Sequence, residues 1–150
     1  MSILKALQDF LLTYDGMILQ KVGESETGIT IEAINTDITE EKPTNYAVQP
    51  TGNSLISKDI LGNVNYSNDY VFYAKEFIAN ETDRQDNHVF LEGFSAWIDK
   101  QNENQNYPIM PEGYTAEEII VSNGLLLETD ENFTTGLYQV QLKLNYKKLA

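Results

Sequence analysis

His88 is the only histidine in the chain, and it is the first place where chemistry could reside. Asp83 and Asp86 lie nearby, but the chain has no serine elbow of the Gly-x-Ser-x-Gly type that would supply a nucleophile for a Ser-His pair. The spacing of these three residues also matches no recognised metal-binding motif. Acidic residues suit the first turn of a helix, where they interact favourably with its dipole. We therefore interpret them as a capped helix start.

The other polar clusters do not form catalytic or ligand sets either. Glu117 and Glu118 are adjacent, and adjacent residues of a strand point to opposite faces, so they cannot act together as an acid–base pair. Residues 130–132 lack the spacing and central glycine of a calcium loop, and residues 51–54 lack the glycines and lysine of a phosphate loop. We expect no catalytic residue, no metal ligand and no cofactor, and predict that the protein is not an enzyme.

Composition excludes several kinds of partner. Acidic residues outnumber basic ones 23 to 10, for a net charge of −13, so phosphate backbones would repel the chain and direct nucleic-acid binding is not expected. Cysteine is absent, which suits a reducing cytoplasm. No segment approaches the run of about eighteen apolar residues that a membrane span requires. The 150 residues predict one domain, residues 1–150.

Two segments carry the apolar spacing of amphipathic helices. The first lies near residues 3–13, with Ser2 as its N-cap, and the second covers residues 83–101. The second places Phe94 and Trp97 on one face, and we predict that Trp97 is mostly buried against the sheet, beside Phe94.

Strands are predicted between and after these helices. They cover residues 29–34, residues 45–49 (ended by Pro50), residues 54–60, 66–78, 117–122 and 137–146. Gly62 indicates a hairpin between the third and fourth of these, and Gly124 and Gly136 are predicted at turns. The order of helix, strands, helix and strands predicts an α+β fold, with a mainly antiparallel sheet and two principal helices packed on one face.

The arm at residues 66–77 is aromatic on both faces. Tyr70, Phe72 and Ala74 share one face, and Val71, Tyr73, Lys75 and Phe77 share the other. Helices of the same domain can cover one face, whereas the other needs a neighbour or stays exposed as an apolar patch. We therefore predict a subunit interface on this arm, with the hairpin tip at residues 62–65 reaching an adjoining ring or tube. The interface is predicted to contain Tyr66, Tyr70, Val71, Phe72, Tyr73, Lys75 and Phe77.

Three groups of segments together resemble a known family. They are residues 46–50 with 57–62; residues 66–77; and the helix end at residues 97–101, followed by Tyr107-Pro108 and the strand at 136–146. Their order and spacing are similar to those of the tail terminator and minor capsid proteins of long-tailed phages and prophages of Gram-positive bacteria. The acidity and the Asn-rich loops are not motifs of that family.

The resemblance implies a small structural subunit that assembles into a hexameric ring. Such a ring caps the finished tail tube and provides the surface on which the head connector docks. It implies a location in the virion after assembly in the host bacterial cytoplasm, with the tube and connector proteins as partners. The alternative from another class is a small-ligand or peptide-binding module that uses the aromatic face of the sheet.

Overall fold

The computed structural model describes residues 2–17, 34–40 and 43–150. Within them, the helices are α1 (Ile3–Leu11) and α2 (Glu81–Glu103). The strands are β1 (Asn35–Thr36), β2 (Asn45–Lys58), β3 (Val64–Phe77), β4 (Tyr114–Thr129) and β5 (Thr135–Lys148). The strand predicted for residues 29–34 falls almost entirely outside the described residues.

The described strands form one sheet in the order β1-β2-β3-β5-β4. The short strand β1 pairs with β2 in parallel, and all the other neighbours are antiparallel. The predicted α+β architecture with a mainly antiparallel sheet is therefore confirmed. The hairpin predicted around Gly62 is also confirmed, since β2 and β3 pair antiparallel on either side of it.

Local signals in the sequence define both ends of α2. Asn80 caps its start, where the side chain accepts a hydrogen bond from the backbone N–H of Asp83 at 2.8 Å. Lys100 lies in the last turn, where a cation suits the helix dipole. Because the cap is Asn80, the helix begins two residues earlier than the predicted start at residue 83.

Aromatic stacking fixes α2 to one face of the sheet. The ring of Phe94 stacks on Phe72 of β3 with centroids 4.6 Å apart, and Phe90 stacks on Tyr46 of β2 at 5.3 Å. Tyr46 and Phe72 are themselves stacked at 5.6 Å across the two strands. All four side chains are buried. Since alternate strand residues share a face, this packing buries one face of the central strands. Among the described residues no helix covers the other face, which we call the open face.

Three predicted strand boundaries are wrong. The strand predicted to stop at Pro50 continues to Lys58, because a register shift between Pro50 and Gly52 accommodates the proline within β2. Gly124 likewise lies inside β4, within a register shift between Ser122 and Leu125, and Gly136 lies inside β5. Bulges in β2 and β4 thus accommodate Pro50 and Gly124, although proline and glycine usually end a strand.

The prediction for Trp97 is only partly right. The side chain is mostly buried and packs against the core, but its ring contacts Phe10 of α1, with centroids 5.1 Å apart, and Tyr14, at 5.5 Å. It therefore packs between the two helical segments, while Phe94, one turn earlier, faces the sheet. Helical periodicity identified the apolar stripe but did not distinguish its edge from its centre.

This difference predicts unequal costs of truncation. We expect Phe94→Ala to lower the free energy of unfolding by about 3–5 kcal/mol, the usual loss for a buried aromatic side chain. Trp97→Ala should cost roughly 1–2 kcal/mol, because less of its surface leaves water on folding. Val89→Ala on the exposed face of α2 is the control. Urea unfolding followed by circular dichroism would measure all three, and equal losses for Phe94 and Trp97 would contradict this packing.

Candidate interaction surface

Three of the residues predicted at the interface lie on the covered face of the sheet. Tyr70 and Phe72 are buried beneath the helices, and Tyr66 is partly buried, with its ring stacked on Tyr146 at 5.4 Å. A neighbouring subunit cannot reach Tyr70 or Phe72 in the folded chain. Their aromatic rings form the core of this domain, so we withdraw them from the predicted interface.

The other four residues lie on the open face and differ in exposure. Val71 is only 9% exposed, whereas Tyr73 and Lys75 are half-buried and Phe77 is 43% exposed. The hydroxyl of Tyr73 donates a hydrogen bond to Oε1 of Gln49 on β2 at 3.0 Å. A contact on this face would therefore involve Tyr73, Lys75 and Phe77 rather than Val71.

The centre of the open face is a hollow of about 520 Å³, lined by both polar and apolar side chains. Thr51, Asp69, Gln141 and Lys143 are among the residues that line it. Asp69 and Lys143 are directly opposite on β3 and β5, with Oδ1 and Nζ 3.7 Å apart and both side chains about half exposed. Such a solvated ion pair contributes little stability. The described residues that line the hollow form no catalytic grouping.

The β2–β3 hairpin ends in a rigid turn that presents two aliphatic side chains. The carboxylate of Asp59 accepts hydrogen bonds from the backbone N–H of Leu61 and from both the backbone and the side chain of Asn63, at 2.9–3.0 Å. The bond from the Asn63 side chain contributes most to lowering the pKa of Asp59 below its usual value. Gly62 adopts φ of 91°, which favours glycine. Ile60 and Leu61 are consequently held at 100% and 77% exposure.

Further exposed aliphatic residues were missed in the sequence analysis. Leu55 and Ile56 lie on the outer half of β2, and residues 125–127 are three consecutive leucines on β4. A signal existed, because three leucines in succession on a strand cannot all face one core. Because Gly124 was interpreted as a turn, the three leucines fell outside the predicted strand and this signal was missed.

A buried polar network attaches β3 to β5 near the hairpin. The side chain of Asn68 donates a hydrogen bond to the hydroxyl of Tyr70 and accepts one from the hydroxyl of Tyr146, both at 3.1 Å. Burial is the main cause that raises the pKa of both tyrosines above the usual value of 10.0, and the bonds to Asn68 oppose it. The bond that Tyr146 donates requires its phenol to be protonated, and burial keeps the phenol of Tyr70 protonated as well.

The described residues contain no cluster of three or more His, Cys, Asp or Glu side chains that could hold a metal ion. His88 is exposed, and its ring makes an edge contact with Tyr138 at 5.5 Å. Glu117 and Glu118 are exposed on the edge strand β4. No described helix is both long enough and apolar enough to cross a membrane. Among the described residues, the exposed aliphatic side chains are the feature that points to an interaction surface.

Comparison of the chain with known protein families and with curated protein sequences gives no match.

The Asn68 network predicts a loss of stability at alkaline pH. A tyrosine whose pKa is raised in the folded protein contributes stability that is present below about pH 10 and is lost as the pH rises through the folded pKa. The variant with both Tyr70→Phe and Tyr146→Phe should be about 1–3 kcal/mol less stable at pH 7, because Asn68 loses its partners. Its stability should then fall less steeply than that of the wild type above pH 10. Tyr107→Phe, outside the network, is the control, and parallel curves for all three proteins would refute the assignment.

Proposed function

We propose that the protein is a structural subunit of a phage or prophage virion that assembles into a ring, at the tail terminator or head–tail joining position. The observation that carries the proposal is the exposure of apolar side chains at both ends of one long sheet. Soluble monomers usually avoid grouped exposed apolar residues, which mark contacts with other proteins. The proposal also rests on the order of segments that resembles tail terminator and minor capsid proteins.

The two apolar ends lie far apart along the same strands. One contains the hairpin tip with Ile60 and Leu61, and the other contains Phe77 beside the β4–β5 turn with Phe133. A 14-residue strand such as β3 spans about 44 Å at the usual rise per residue. A ring that joins a tube to a connector needs two axial contact surfaces in addition to its lateral contacts. Opposite apolar ends suit that requirement, while a binding module needs only one site.

The alternative of a ligand-binding or peptide-binding module has less support. It required an accessible aromatic face of the sheet, but Tyr46, Phe72 and Tyr138 are buried in the core. The open face presents the hollow instead, whose lining mixes polar and aliphatic side chains. We therefore do not pursue this alternative.

Native mass and shape test the proposal. Sedimentation velocity over a wide concentration range should show a species of about six times 17.0 kDa, since the family resemblance implies six subunits. Negative-stain electron microscopy of the same fractions should show closed rings. A chain that stays monomeric or stops at a dimer at high concentration would refute the ring.

Substitutions on the open face test its part in assembly. We expect the double variant Tyr73→Glu and Phe77→Glu to weaken assembly or docking while circular dichroism stays native-like. Val71→Glu is unsuitable, because it would bury a charge and destabilise the fold. Ile109→Glu, an exposed aliphatic position on the loop before β4, is the matched control. Unchanged assembly in the double variant would exclude this face from the contacts.

A further inference from the structure

Strand β4 is an edge of the described sheet, and its first half carries a strongly β-forming run. Ile119, Ile120 and Val121 follow one another there, and Ile120 is 44% exposed. An edge strand presents backbone N–H and C=O groups with which a strand of another molecule can pair. Apolar, β-forming segments on such an edge are prone to this kind of association. An exposed backbone at Ile119 would therefore be a liability.

A side chain from α2 occupies the edge at Ile119. The amide of Asn102 donates a hydrogen bond to the carbonyl oxygen of Ile119 at 2.7 Å, and its oxygen accepts one from the backbone N–H of Ile119 at 3.1 Å. A neighbouring antiparallel strand would exchange the same two kinds of bond with a residue at this position. Because a primary amide has a donor and an acceptor side by side, one asparagine takes the place of that strand.

The end of α2 holds Asn102 in this position. Asn102 is the penultimate residue of the helix and is half-buried. The backbone N–H of Asn104 donates a hydrogen bond to the carbonyl of Lys100 at 3.0 Å, which closes the last turn. Gln105 follows with φ of 55°, the left-handed conformation in which many helices end. The pairing therefore joins an edge strand to an ordered helix end.

We infer that Asn102 protects this edge, because it prevents a strand of another molecule from pairing with β4 at Ile119. The contact is autoinhibitory: an incoming strand must first displace the amide of Asn102 from both backbone groups. An apolar side chain at position 102 could also fix the helix end on the sheet, but it would leave those two groups available. The inference goes beyond the proposed ring and does not depend on it.

Removal of the amide tests this role. Asn102→Ala abolishes both bonds, so hydrogen exchange of the Ile119 amide, followed by NMR in dilute samples, should become at least about tenfold faster. In sedimentation velocity at rising concentration, the variant should form larger species than the wild type does at the same concentration. The readout is the difference from the wild type, so it is independent of whether the wild type forms a ring. Unchanged exchange or an unchanged size distribution would overturn the inference.

A matched control separates an opened edge from a loss of stability. Ile98 is buried on the same helix, one turn before Asn102, so Ile98→Ala loosens the packing of α2 but keeps the amide that bonds to Ile119. It should leave the size distribution as in the wild type. Equal growth in both variants would show that instability causes the association and would overturn the inference. Asn102→Leu, which lacks the bonding groups but preserves the side-chain volume, should behave like Asn102→Ala and replaces it if the alanine variant does not fold.

A charge on the edge provides an independent measurement. Lysine on an edge strand discourages pairing, so Ile120→Lys added to Asn102→Ala should restore the size distribution of the wild type. Val89→Lys, at an exposed aliphatic position on α2, should not restore it. If Ile120→Lys has no effect, another surface mediates the association and the assignment of Asn102 is wrong.

Discussion

The stacking of α2 on the sheet determines the rest of this structure. Phe94 on Phe72 and Phe90 on Tyr46 choose which face of the central strands is buried. Because strand side chains alternate strictly, that single choice assigns every residue of β3 and β5 to the core or to the open face. It places Tyr70 and Tyr146 around Asn68 inside the domain, and it leaves Lys143 in the solvent. A helix packed on the other face would have reversed all of these positions.

The lengths of the elements explain where apolar residues stay exposed. The 23 residues of α2 span roughly 34 Å, whereas the 14 residues of β3 span about 44 Å and the 16 residues of β4 more. One helix of this length cannot cover both ends of the strands in any orientation. The hairpin tip and the β4–β5 turn therefore extend beyond the helix. The chain nevertheless places Ile60, Leu61 and Phe133 at those ends, where polar side chains would have been less costly to expose.

The sequence predicted the secondary-structure elements more successfully than the contacts between those elements. The period of α2 and the alternation of β5 are properties of the local chain, and both were confirmed. Pro50 and Gly124 were misinterpreted as strand ends because a bulge depends on the partner strand, which local sequence does not specify. The predictions for the neighbours of Trp97 and for the arm at residues 66–77 failed for the same reason. Sequence periodicity separates the faces of an element without telling which face a distant element covers. The resemblance to tail terminators concerns the order of segments along the chain.

Net charge limits how such subunits can associate. Each chain carries −13, so neighbouring copies repel one another over distances of about a Debye length, and general electrostatic attraction cannot drive assembly. In the proposed ring, the favourable term would come from apolar surface removed from water, which is consistent with the exposed leucines and isoleucines of β2 and β4. Apolar burial would therefore supply the affinity between the subunits of the proposed ring, against the repulsion of their net charge.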